Sequence, residues 1–179
     1  MRRAIFLDRD STIIANQDGH AVNTVEEVRL LPGVPEGLSS LKELGFLLVI
    51  ATNQGGVPLG YTSLETLKAQ HDRIDDLLTM AGAPRLDAYY YCTHFPNAGC
   101  KCRKPMPGML LDAARDLGID LGRSYMVGDH RTDILAGKAA GVKKTVQVLS
   151  DRFDGASIAD AMLPSFATVS ETIVSWEDE

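Results

Sequence analysis

At 179 residues, 45% hydrophobic and 23% charged, the chain has the make-up of a single globular domain with one good core. A formal net charge of −6 argues against a broad nucleic-acid footprint. No apolar stretch approaches membrane-spanning length and no long apolar leader opens the chain, so the compartment expected is the cytoplasm, with no membrane partner.

The first predicted strand, Ala4–Leu7, runs straight into Asp8-Arg9-Asp10-Ser11-Thr12. Two carboxylates spaced two residues apart off an extended backbone can lean into one site. Like charges held that close call for a shared cation or a retained proton. A helix is expected over Glu36–Leu44, started by Pro35 and stopped by Gly45. The second strand, Phe46–Ala51, ends in Thr52-Asn53-Gln54. Thr62 or Ser63 can cap a longer helix reaching about Met80; His71 falls inside it and reads as a surface or partly packed residue.

A third strand, Asp87–Tyr91, leads to Cys92-Thr93-His94 and then Cys100-Lys101-Cys102, with Arg103-Lys104 following. Two soft-ligand pairs, each with one intervening residue, can close around a tetrahedral Zn²⁺. Reduced cysteines lining a strand end are the plainer reading, and a disulfide would leave an odd thiol. The helix Gly108–Leu117 stops at Gly118. A strand at Ser124–Val127 then delivers Gly128-Asp129, and the helix Thr132–Ala140 carries Asp133 in its first turn. Lys144–Leu149 is the fifth strand, Phe166–Val169 the expected sixth, and Ser170–Trp176 a last short helix.

Strands alternating with helices predict an α/β fold of three layers, Rossmann-like, with a central, mostly parallel sheet. In such sheets sites form beyond the carboxyl ends of the strands, and the polar clusters sit there. Carboxylates suited to Mg²⁺, a lysine and a hydroxyl with flanking amides together describe phosphoryl transfer. No Gly-x-Ser-x-Gly elbow and no P-loop is present.

FLDRDST, IATNQ, CRKP and VGDHRTD, in that order, resemble the four motifs of the haloacid dehalogenase-like phosphatase superfamily. LLPGVPEGL, TNQGG and KPMPGMLLDAARDLGIDLGRSYMVGD resemble the group containing the heptose 1,7-bisphosphate and histidinol-phosphate phosphatases. The resemblance implies one hydrolase domain over 1–179 without a separate cap domain, with a small zinc loop at 92–102 after the third strand. It implies that Asp8 is the nucleophile, forming an aspartyl phosphate, and that Asp10 is the general acid and base. Thr52 and Lys104 would hold the phosphoryl oxygens. Mg²⁺ would bind Asp8, the Asp10 carbonyl and Asp129, with Asp133 supporting. Cys92, His94, Cys100 and Cys102 would hold a structural Zn²⁺.

Asn53, Gln54 and Arg103 would meet the substrate, and Asn16–His20 with Gly55–Tyr61 would shape the entrance. The substrate implied is a small phosphorylated metabolite, a sugar bisphosphate such as D-glycero-D-manno-heptose 1,7-bisphosphate, acted on by a monomer. Histidinol phosphate is the alternative within the class, and a catalytically silent, zinc-stabilised binding domain is the alternative outside it. The motifs depart from the group at Ser11 (commonly glycine), at Leu59 (commonly arginine) and at His130 (commonly lysine).

Overall fold

Six strands form one parallel sheet in the order β3-β2-β1-β4-β5-β6 in the computed structural model, which describes residues 1–16, 20–150, 155 and 157–178. The strands are β1 (Ala4–Leu7), β2 (Leu47–Asn53), β3 (Ala88–Cys92), β4 (Tyr125–Gly128), β5 (Lys144–Val148) and β6 (Ala161–Leu163). The helices are α1 (Val34–Glu43), α2 (Leu64–Met80), α3 (Gly108–Leu117), α4 (Arg131–Ala140) and α5 (Val169–Glu177).

β1 lies between β2 and β4, and every one of its side chains is fully buried. Alternation splits them: Ile5 and Leu7 join Leu38, Leu41, Ile74, Val169 and Ile173, so α1, α2 and α5 cover that face. Ala4 and Phe6 join Met109, Leu110, Ala113 and Ala140 on the other face, under α3 and α4. Burial on both faces explains why the central strands read as unbroken apolar runs. No described helix is long and apolar enough to cross a membrane.

The sheet is parallel at every pairing, as the alternation of strands and helices leads one to expect. Two expectations change. The sixth strand is Ala161–Leu163, and Phe166–Thr168 is a single 3₁₀ turn leading into α5. A run of only four apolar or β-branched residues does not distinguish strand from helix by period. Here Phe166 is an anchor: its buried ring lies so close to Gly37 on α1 that a Cβ there would sit 3.0 Å from it. Asp160 sets the edge strand by accepting from the Thr145 N–H and hydroxyl at 2.7 and 2.8 Å. His71 is buried, its ring stacked on Tyr89 at 4.3 Å between centroids, because it falls on the inward stripe of α2 with Leu67, Ile74 and Leu78.

Candidate active site

The chain order reverses beside β1: β2 and β3 extend the sheet one way, β4 to β6 the other. A crevice opens at that switch point, beyond the carboxyl ends of the strands. It is a cleft of about 140 Å³ lined by Asp8, Asp10, Thr52, Asn53, Gln54, Lys104 and Asp133, with Val22, Gly56 and His130 at its border. Asp8 extends β1 by one hydrogen bond, its N–H donating to the Val127 carbonyl at 2.9 Å.

Lys104 stands at the centre. Its Nζ donates to Asp8 Oδ1, Asp133 Oδ1 and the Ala51 carbonyl, each at 2.6 Å, so one ammonium joins β1, β2 and α4. Asn53 holds this residue from behind: its Oδ1 accepts from the Lys104 N–H at 2.9 Å and its Nδ2 donates to the Lys104 carbonyl at 3.0 Å. Asp133 also accepts from the His130 N–H at 2.9 Å, so it caps α4 while pairing with Lys104. Gly128 makes that approach feasible, since a Cβ there would overlap the Asp133 side chain.

The electrostatics lean strongly negative. Asp8, Asp129 and Asp133 bring carboxylate oxygens within 4.8 Å of one another. Burial pushes the Asp8 carboxyl up to about 8; Lys104 opposes this, and Asp133, Asp129 and Asp10 add to it. Burial disfavours the Lys104 ammonium, but Asp133 and Asp8 outweigh it and hold its pKa above the ordinary lysine value. Three buried acids around one ammonium are short of positive charge, and oxygen donors at this spacing suit a hard divalent cation. Asp129 is fully buried, with Ser150 donating to its Oδ2 at 2.8 Å and Gln147 to its carbonyl at 3.0 Å.

Asp10 sits in a different setting. Burial would raise its pKa, yet the Arg9 charge and hydrogen bonds from Arg9 and Gln54 hold it below the usual carboxylate range. Gln54 donates to Asp10 Oδ2 at 3.0 Å and to Thr52 Oγ1 at 2.9 Å. The fold therefore separates the two acids, Asp8 inclined to keep a proton and Asp10 inclined to lose it.

The sulfur and imidazole donors also converge. Cys92 Sγ lies 3.4 Å from His94 Nδ1 and 3.6 Å from Cys100 Sγ; Cys102 Sγ lies 3.2 Å from His94 Nδ1 and 3.5 Å from Cys100 Sγ. All three thiols are free. The spacing is far beyond the ~2 Å of a disulfide and near the ~3.8 Å edge of a tetrahedron built on Zn–S bonds of about 2.3 Å. Crowding shows in the protons as well: burial and the neighbouring sulfurs of Cys92 and Cys100 push the Cys102 thiol up to about 12. Among the described residues, the four donors could hold a metal ion.

Of the residues singled out from sequence, Asp8, Asp10, Thr52, Asn53, Gln54, Lys104 and Asp133 line one cleft, and Asp129 brings a carboxylate oxygen within 4.8 Å of those of Asp8 and Asp133. Arg103 lies against Gly55 at the cleft's flank, its Nη1 shielded from solvent without a hydrogen-bond partner among the described residues. Of the expected entrance segments, 17–19 lie outside the described residues. Sequence reasoning passed over Arg9, Gln70, Gln147 and Ser150, all bonded to site residues or to one another. Arg9 alone carried a signal, as a charged residue flanked by two acids directly after a buried strand.

A parallel sheet that sets two acids after β1, a hydroxyl at the carboxyl end of β2, a lysine before α3 and further acids after β4 defines a haloacid dehalogenase-like hydrolase. A family model described as HAD-hydrolase-like matches residues 101–173. The D-glycero-beta-D-manno-heptose-1,7-bisphosphate 7-phosphatase of Pasteurella multocida (strain Pm70) is 40% identical over 182 residues, covering 97% of each chain. The enzyme of that name in Escherichia coli (strain K12) is 38% identical, over 95% of this chain and 93% of its own. The solved D,D-heptose 1,7-bisphosphate phosphatase from B. bronchiseptica, complexed with magnesium and phosphate, superposes with a TM-score of 0.86 at 32% identity, over 97% of this chain and 99% of its own. The chain belongs to the haloacid dehalogenase-like phosphatases, on the branch of the heptose bisphosphate enzymes.

Proposed function

We propose that residues 1–179 act as one cytoplasmic, monomeric hydrolase domain that removes a phosphate from a sugar bisphosphate, D-glycero-D-manno-heptose 1,7-bisphosphate being the candidate. The observation that carries this reading is the Lys104 ammonium, shared by Asp8 and Asp133 beside an Asp10 held ionised by Arg9. Similarity to the heptose enzymes over nearly the whole chain supports the substrate. No relative named above is a histidinol phosphatase, and the filled acid positions disfavour the silent binding domain.

Asp8 attacks phosphorus and the bond to the sugar oxygen breaks, leaving an aspartyl phosphate. Asp10 delivers a proton to the departing alkoxide; the incoming phosphate's negative charge raises its pKa back toward the acid form. Asp10 then takes a proton from the water that cleaves the aspartyl phosphate. Lys104 and the Thr52 hydroxyl neutralise and hold the transferring oxygens. Asp8, the Asp10 carbonyl and Asp129 would hold Mg²⁺, with Asp133 supporting, and the ion would offset the charge that builds on phosphorus. Cys92, His94, Cys100 and Cys102 would hold Zn²⁺ with no open position, fixing the 92–102 loop that delivers Arg103 and Lys104. Arg103 meets the substrate, while Asn53 and Gln54, whose amides are taken up by Lys104 and by Asp10 with Thr52, act mainly by holding those groups.

Phosphate release tests this across both anomers of the heptose bisphosphate, histidinol phosphate and common sugar phosphates. Turnover of another ester with neither heptose bisphosphate hydrolysed would sink the substrate assignment.

A further inference from the structure

Arg9 heads the fully buried side chains by size, an unusual place for a permanent charge. A guanidinium taken out of water is costly unless its donors are met. Here Nε and Nη2 fork onto the two oxygens of Asp10 at 2.9 and 3.1 Å, a bidentate grip with fixed geometry. Nη1 donates to Gln70 Oε1 of α2 at 2.8 Å, and Nη2 also reaches Gln54 Oε1 at 3.2 Å. Gln70 is fully buried and donates onward to the carbonyls of Val22 and Thr24 at 3.4 Å, in the segment that borders the cleft. The carboxylate of Asp10 is thereby tied through one side chain to α2 and to the loop after β2.

We propose that Arg9 is a positioning residue: its fork, anchored by Gln70, fixes the plane of the Asp10 carboxylate at the place where the leaving oxygen and later the water exchange a proton with it. The inference rests on the phosphatase reading above. In the first step the Asp8–phosphorus bond forms, the phosphorus–alkoxide bond breaks, and the alkoxide takes the Asp10 proton. In the second, water's oxygen bonds phosphorus, the Asp8 bond breaks, and water's proton returns to Asp10. A carboxylate already aimed at both positions needs no rearrangement between steps.

The test compares kcat/KM on a primary alkyl phosphate, whose alkoxide needs a proton, with p-nitrophenyl phosphate, whose phenolate leaves without one. For Arg9→Met the alkyl ester should lose about 100-fold and the aryl ester less than ~10-fold, the share that general acid catalysis supplies. Equal falls on both esters, or no fall on either, would overturn the positioning role. If Arg9→Met fails to fold, Gln70→Met reads the same ratio with the fork in place but unanchored, and roughly a 3- to 10-fold loss confined to the alkyl ester is expected. An equal or absent effect in that variant would overturn the proposal too. The heptose bisphosphate, whose C7 ester is a primary alkyl phosphate, is read alongside them; a wild-type protein that hydrolyses none of the three would instead refute the phosphatase reading, and this inference with it.

Discussion

The oxygen cluster around Lys104 and the sulfur cluster at residues 92–102 are both four-residue gatherings of polar side chains, built on opposite plans. Asp8, Lys104 and the pair Asp129 and Asp133 come from three separate chain segments, and all four residues are at least nine-tenths buried. Cys92, His94, Cys100 and Cys102 come from one short run, and only Cys92 is fully packed. The first cluster exists because the sheet exists; the zinc proposed for the second would be what orders the loop that carries it. Chemistry should therefore be lost from the first without loss of fold, and stability lost from the second before chemistry.

Asp8→Asn gives the largest separation. Phosphate release should fall by at least ~1,000-fold, as expected when a nucleophile is removed. Folding should survive, because the variant removes a charge that burial already disfavours. Release at the wild-type rate would refute the nucleophile, and a collapsed far-UV signal would refute the independence of chemistry and fold. Cys100→Ser should do the reverse, with bound zinc lost from near one per chain and melting lowered by several degrees. Activity should follow only as Lys104 loosens. Zinc content and melting temperature unchanged by that substitution would break the comparison at its second half.

Gly128→Ala probes how tightly the oxygen cluster is assembled. Its Cβ would displace Asp133, which both caps α4 and pairs with Lys104. A cost of about 1–3 kcal/mol from overpacking is expected, together with a fall in kcat. Wild-type stability and kcat in that variant would mean that Asp133 can move without consequence.

The protons of the two regions offer a gentler test. The Asp8 carboxyl rises on folding from 3.8 to about 8, so between those values the folded, metal-free protein holds a proton the unfolded chain has lost. Its stability contribution is present at low pH and fades as pH climbs toward 8. Mg²⁺ must displace that proton, so its apparent affinity should rise by up to ~tenfold per pH unit across the window. The Mg²⁺-induced gain in melting temperature should therefore grow from pH 5.5 to pH 8. An equal gain at both would remove Asp8 from the ligand set.

The sulfur and imidazole cluster was legible in the sequence because its members crowd into eleven residues, where spacing carries information. The oxygen cluster was legible by another route, as motifs at successive strand ends, and order along the chain then became order along one crevice. Arg9 escaped because its partners Gln70 and Gln54 lie on other elements, and a charge flanked by two acids, although a signal, does not by itself say that the middle side chain turns inward. Phe166 escaped because four apolar or β-branched residues fit a strand or a helical turn alike, and only Gly37 on α1 decides between them.

The smallest effect separates the two regions by backbone. Each contains a left-handed residue: Ser11 with φ 63° in the turn behind Asp10, and Gly99 with φ 66° in the sulfur loop. Glycine adopts this region freely, whereas a residue with a Cβ meets a steric cost of about 1–2 kcal/mol there. The turn behind Asp10 thus carries strain that the sulfur loop avoids. Ser11→Gly relieves it but gives the unfolded chain more freedom to lose, so the net gain should be under about 1 kcal/mol. Ser11→Ala keeps the Cβ, and removing the hydroxyl alone should gain nothing. Chemical denaturation of the two variants checks this: equal stabilisation by glycine and alanine would place the cost in the hydroxyl and leave the two turns alike.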